Sequence, residues 1–169
     1  MPIVIRTAIS ASDYDAYSRL CHDYVDWCRA RYAHDAWFVN EVFGYQSIDE
    51  ELKDLSIKYG PPKGKTLLIE RDGEIVGGGA YRRTSESVCE MKRLYISTGA
   101  AGQGLGRKLT TALIEAARAE GFAMMQLDTG NLLTEAIAMY ESLGFRHIAP
   151  YNSYPDKLMP YLVFMEKPL

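Results

Sequence analysis

The chain has 169 residues, a formal net charge of -3, 47% hydrophobic residues and three cysteines. That length suits one domain over residues 1–169 that buries its core without staples, and the slightly acidic balance, with no basic run, argues against nucleic acid as a partner. No segment approaches the roughly 18 apolar residues of a membrane span, and Cys21, Cys28 and Cys89 are an odd number at spacings that make no ligand motif, so a reduced cytoplasmic setting without metal or membrane is expected.

Residues 3–8 alternate weakly and read as an edge strand. Ser12 with Asp15 forms a capping-box signature for a helix to about Tyr32, with Tyr14, Tyr17, Cys21, Tyr24 and Cys28 along one face. Its other face carries Asp13, Asp15, Asp23 and Asp26, either a solvated surface or an acidic, aromatic wall that receives an amine. Residues 36–45 hold several large aromatics outside any clear periodicity, which either line a pocket or plug a sheet edge. Ser47 and Glu50 predict a shorter helix that ends by Gly60, because Pro61-Pro62 forbids its continuation.

Residues 65–70 and 74–81 are expected strands joined at Arg71-Asp72-Gly73, where Asp-Gly is a hairpin signal, and residues 88–96 a third antiparallel strand. The run Gly77-Gly78-Gly79 predicts a bulge or a close backbone approach. A helix follows over residues 104–120 and stops at Gly121, then a strand over 122–128, which implies a parallel crossover. A helix over 131–143, capped by Asn131 and ended by Gly144, and strands near 145–148 and 161–166 complete a mixed α/β sheet with helices on both faces.

The informative stretch is residues 89–121, a strand that breaks at Gly99, Gly102, Gly104 and Gly106 and re-forms at once as a helix. Unpaired N–H groups and the positive dipole end at that helix start favour a phosphate. A P-loop does not fit, and the dinucleotide pattern would need glycine where Arg107 stands.

What the stretch resembles is the acyl-CoA loop of the GNAT superfamily of N-acyltransferases, Q/R-x-x-G-x-G/A, here Ala101-Gly102-Gln103-Gly104-Leu105-Gly106 with Ala101 at the Gln or Arg position. Two further blocks strengthen the resemblance: Glu90 to Ile96 reads Glu-Met-Lys-Arg-Leu-Tyr-Ile, and Tyr140 to Phe145 reads Tyr-Glu-Ser-Leu-Gly-Phe. The resemblance implies the GNAT fold, a central mixed sheet (α+β) with two parallel strands that splay apart, and an N-acetyltransferase that uses acetyl-CoA as co-substrate and needs no metal. The expected acceptor is a primary amine of a small molecule or peptide, and a homodimer is compatible with the sequence.

By the same resemblance, the pantetheine arm pairs with the backbone of Leu94, Tyr95 and Ile96, and the pyrophosphate lies on the N–H groups of Ala101 to Gly106, with Arg107 adding charge and Asn131 joining the cofactor-binding set. Tyr140 matches the family's general acid, which protonates the departing thiolate. Glu90 occupies the usual position of the general base, Asp128 a similar one on the neighbouring strand, and a surface pairing of Glu90 with Lys92 or Arg93 is the structural alternative. Ala101, and Leu133 where the family often has Asn, leave open a degenerate acyl-CoA-binding sensor without turnover.

Overall fold

The alternation at the start of the chain forms strand β1, Ile3–Thr7, at one edge of a seven-stranded sheet in the computed structural model, which describes residues 2–169. Helix α1, Ala11–Arg31, is capped two residues earlier than expected, by Ser10 and Asp13. The sequence holds two overlapping capping boxes, and Arg6 decides between them: its Nη2 donates to Asp13 Oδ1 at 2.8 Å, which ties β1 to the helix start. Asp13 therefore leaves the solvated acidic face and is only 7% exposed.

Residues 36–45, read from the sequence as irregular, are helix α2, Ala36–Tyr45. Phe38, Val39, Val42 and Phe43 face the core at helical spacing, while Trp37 and Tyr45 point outward and mask the period. The single helix expected over 47–60 is instead two one-turn helices, α3 (Ile48–Glu51) and α4 (Ser56–Tyr59). Between them the Asp54 carboxylate accepts the Ser56 N–H at 3.0 Å, a local bond that competes with helix. Ser47 sits at φ 56° and caps nothing.

Strands β2 (Gly64–Arg71), β3 (Glu74–Arg83) and β4 (Val88–Ile96) form the expected antiparallel meander. Asp72 and Gly73 both adopt positive φ, 54° and 81°, as a tight hairpin turn requires. The glycine run in β3 permits close approach on both faces: a Cβ at Gly78 would come within 2.8 Å of the Tyr17 ring, and one at Gly79 within 2.9 Å of the Leu94 side chain.

Helix α5, Leu105–Ala119, buries Leu105, Leu109 and Leu113 and leads to β5, Met124–Gly130, which runs parallel to β4. Helix α6, Thr134–Ser142, starts later than expected, because the Asn131 side chain accepts the Tyr32 hydroxyl at 3.0 Å instead of capping. The remaining strands are β6 (Arg146–His147) and β7 (Leu162–Pro168). The sheet order is β1-β2-β3-β4-β5-β7-β6, so β7 inserts between β5 and β6. One core packs α1 and α2 on one face, and the other packs α5 and Tyr140 of α6. No helix among the described residues is long and apolar enough to cross a membrane.

The register between β3 and β4 slips near Gly78 and Ala80, and Arg93 lies in the slipped segment at φ 57°, a conformation rare outside glycine. Tertiary contacts hold it there. Arg93 Nε donates to Glu51 Oε2 at 2.7 Å, Nη1 donates to Gln46 Oε1 at 2.8 Å, and the Tyr17 hydroxyl donates to the Arg93 carbonyl at 2.9 Å. Burial pushes the Glu51 carboxyl upward, but Arg93 and Lys58 outweigh it and hold the pKa at about 2, below the ordinary 4.5. Glu51→Ala leaves a buried guanidinium without its anion and should cost about 3–5 kcal/mol of unfolding free energy at pH 7. Because the folded-state pKa is depressed, the wild-type advantage is full above pH 4.5 and declines as the pH falls toward 2, so denaturant midpoints of the two proteins should converge on the acid side.

Candidate active site

Parallel pairing of β4 with β5 is confined to Val88–Met124, Cys89–Met125 and Glu90–Gln126. Past Glu90 the two strands part, since the bulge at Arg93 turns β4 away, and the β5-facing backbone of β4 is left without a partner strand. Two spaces open at this gap. An inner cavity of about 80 Å³ lies among Tyr24, Phe38, Phe43, Lys92, Asp128 and Tyr140. An outer groove of about 430 Å³ runs from Trp27 and Ile96 to Gly104 and Gly106, and it too is lined by Tyr140. The two share Tyr24, Leu94, Thr129, Leu133 and Tyr140, so the groove leads to the cavity past the Tyr140 side chain.

Of the residues that the sequence singles out for the cofactor, Leu94, Tyr95, Ile96, Ala101, Gly102, Gly104, Leu105 and Gly106 line the groove. Gly104 takes φ 72° as the residue that opens α5, which lets the loop turn directly into the helix. Three residues lie elsewhere. Gln103 accepts Arg71 Nη1 at 3.3 Å, Arg107 donates to Ser142 Oγ at 2.6 Å, and Asn131 is bonded to Tyr32.

Glu90 and Asp128 come together on neighbouring strands, joined by one side chain: Asn152 Nδ2 lies 2.9 Å from Glu90 Oε2 and 2.9 Å from Asp128 Oδ2. Tyr151 donates its hydroxyl to Glu90 at 2.7 Å, Tyr154 donates to Asp128 at 2.8 Å, and Arg82 Nε lies 3.0 Å from Glu90. Glu90 is 0% exposed, not a surface carboxylate, although Arg82 and Lys92 do pair with it. Burial pushes its pKa upward, but Lys92, Tyr151, Arg82 and Asn152 together hold it below the ordinary carboxylate value. Asp128 lines the inner cavity; Glu90 does not.

Lys92 Nζ lies between the two, 3.6 Å from Asp128 and 3.9 Å from Glu90, too far for a hydrogen bond to either. Burial lowers its pKa, with Asp128 and Glu90 offsetting only part. Tyr140 is buried, makes no side-chain hydrogen bond among the described residues, and has its phenol pKa raised by burial alone. The four aspartates of α1 do not line the cavity, whereas its aromatic Tyr24 does.

Lys92, Tyr151, Asn152 and Tyr154 were not singled out for the site from the sequence. A signal was present for the last three: residues 148–158 form a polar, aromatic stretch between short elements, and long irregular segments in compact folds usually carry function. Among the described residues no cluster of His, Cys, Asp and Glu could hold a metal ion.

Comparisons with known proteins agree with this architecture. The model of the acetyltransferase (GNAT) family matches residues 30–145. The uncharacterized N-acetyltransferase YjgM of Escherichia coli K12 is 42% identical over 108 residues, which is 62% of this chain and 65% of that protein, just under two thirds of its length. A crystal structure from Klebsiella pneumoniae, provisionally assigned as an acyl-CoA N-acyltransferase, superposes with a TM-score of 0.70 at 34% identity, covering 99% of this chain and 97% of that one. The N-acetyltransferase PaiA of Thermoplasma acidophilum, solved in complex with coenzyme A, shares the fold at a TM-score of 0.71 and 16% identity, with both chains covered fully at 100%. By the family match, the two sequence blocks and the splayed sheet, the chain belongs to the GNAT family of acetyltransferases.

Proposed function

We propose that the protein transfers an acetyl group from acetyl-CoA to a primary amine of a small molecule or peptide by direct attack in a ternary complex. The observation that carries this reading is the meeting of groove and inner cavity at Tyr140, in the gap between β4 and β5. The groove takes the cofactor. Its phosphates lie on the N–H groups at the start of α5, and its pantetheine amides pair with the unpartnered edge of β4 at Leu94 to Ile96. The coenzyme A bound to the like-folded Thermoplasma protein is consistent with this assignment.

The amine enters the inner cavity as an ammonium with a pKa near 10.4 and must lose a proton before it attacks. Asp128 lines that cavity and takes the proton, directly or through one water. Glu90, in the position the family more often uses, is turned from the cavity with both oxygens occupied by Arg82, Tyr151 and Asn152, and its part is to position Asn152. The nitrogen bonds to the thioester carbonyl carbon, the carbon–sulfur bond breaks, and Tyr140 protonates the leaving thiolate; the nitrogen then gives up its second proton as the amide forms, so that of the two protons lost from nitrogen one restores Tyr140 through solvent and the other is released.

Two outcomes test the roles. Acetyl-CoA should raise the melting temperature, and Gly106→Leu should remove most of that rise. Gly106 has ordinary φ, and a Cβ there meets Ile96 and Met139 only at 3.9 Å, so the new side chain fills the groove without straining the fold. Arg107→Ala should retain the rise, and a full shift in Gly106→Leu would locate the cofactor elsewhere.

In steady-state assays Tyr140→Phe should lower kcat by roughly 10² or more with the KM for acetyl-CoA unchanged, since the ring is kept and only the hydroxyl that donates the proton is removed. Asp128→Asn should lower kcat/KM for the amine by about 10² or more, and Glu90→Gln by less. The reverse order of the two carboxylate variants would assign the base to Glu90.

A further inference from the structure

The inner cavity has a second opening. It shares Gln46, Lys92 and Arg93 with a cleft of about 160 Å³ that has no lining residue in common with the cofactor groove. The cofactor groove, the cavity and this cleft therefore adjoin in series, with Tyr140 between the first two and Lys92 and Arg93 between the last two, so the cleft lies on the side of the cavity away from the cofactor groove.

The cleft is lined by four cations, Lys58, Arg82, Lys92 and Arg93, together with polar groups that include Asn152 and Tyr154, and by no carboxylate. The acids that pair with these cations, Glu51, Glu90 and Asp128, stand behind them, so four positive charges meet three negative ones. Two of the cations retain unused donors. Arg93 Nη2 is buried with no hydrogen-bond partner, although its Nε and Nη1 are bonded, and Lys92 Nζ has its nearest carboxylate oxygens at 3.6 and 3.9 Å. Buried donors without acceptors are costly, and an anion supplied by a ligand would relieve that cost. Farther out, the wider space that Lys63 and Arg83 help to line is also lined by Glu50, Glu51 and Asp54, so the lining free of carboxylates is confined to the inner cleft.

We propose that the acceptor is an amino acid, or another amine that carries a carboxylate close to its amino group. The amine sits in the inner cavity beside Asp128 and Tyr140, and the carboxylate lies in the cleft against Lys92 and Arg93, with Lys58 and Arg82 raising the local concentration of anions. A free amine of the same skeleton leaves the two buried donors unpaired and is rejected for that reason. This inference rests on the acyl-transfer reading for the chemistry but not for the anion site.

The test pairs each amino acid with its decarboxylated amine and its carboxamide, for example phenylalanine with 2-phenylethylamine and phenylalaninamide, across the standard side chains. Binding to the coenzyme A-loaded protein is measured by calorimetry, and turnover by thiol release from acetyl-CoA. At least one amino acid should bind about 10-fold or more tightly than both of its counterparts and show the same preference in kcat/KM. Lys58→Gln should raise the KM for the amino acid several-fold while leaving that for the carboxamide unchanged. Equal or tighter binding of the counterparts that lack the carboxylate, no binding by any member, or a variant that affects acid and amide alike would overturn the proposal. Amino acids that bind selectively without thiol release would sustain the anion site and refute acyl transfer; thiol release that prefers decarboxylated amines would do the opposite.

Discussion

The ion pair between Arg93 and Glu51 is the constraint on which the rest of the site depends. A left-handed residue in the middle of a strand is unfavourable for any side chain but glycine, so the bulge persists only because buried partners fix both the guanidinium and the carbonyl of Arg93. Once β4 turns there, its pairing with β5 cannot continue past Glu90. The gap between the strands, the free backbone at Leu94 to Ile96 and the path past Tyr140 all follow from that local distortion. Glu51 belongs to a one-turn helix in the irregular stretch between α2 and β2, so a segment with little regular structure determines the shape of the sheet.

The gap is lined by charge that an apolar core would not tolerate alone. Glu90 and Asp128 are both buried near Lys92, and desolvation of three ions is costly unless each is supplied with partners. Tyr151, Asn152 and Tyr154 supply them from one short segment, with Asn152 shared between the carboxylates. That sharing fixes the spacing of the two acids and orients Asp128 toward the cavity. Lys92 is the member left underprovided, with no carboxylate oxygen closer than 3.6 Å although it lines the cavity.

The fold was legible where local chemistry and tertiary structure agree. Asp72-Gly73 specifies a hairpin by its left-handed geometry, Gly104 specifies the entrance to α5, and the leucine stripe of α5 specifies its buried face. Reading failed where partners distant in sequence decide. Ser10-Asp13 prevailed over Ser12-Asp15 because Arg6, on β1, reaches Asp13; α2 was hidden by outward aromatics; and Asn131 was drawn from its cap by Tyr32. In the site, one side of the outer groove comes from a single stretch, residues 94–106, that the glycine pattern marks, whereas the inner cleft is assembled from residues 46, 58, 82, 92 and 152, which no local pattern connects.

The position of β7 between β5 and β6 carries a consequence for synthesis. During translation β5 emerges with its outer edge unpaired, and β6, which comes next, cannot cover it, because the place beside β5 is reserved for a strand still to be made. The tyrosine and asparagine donors to Glu90 and Asp128 lie in the segment just before β7 and arrive equally late. The nascent chain therefore exposes a bare strand edge and two acids short of these hydrogen bonds until β7 takes its place, a window in which self-association competes with folding and in which a chaperone that shields open sheet edges has most to offer.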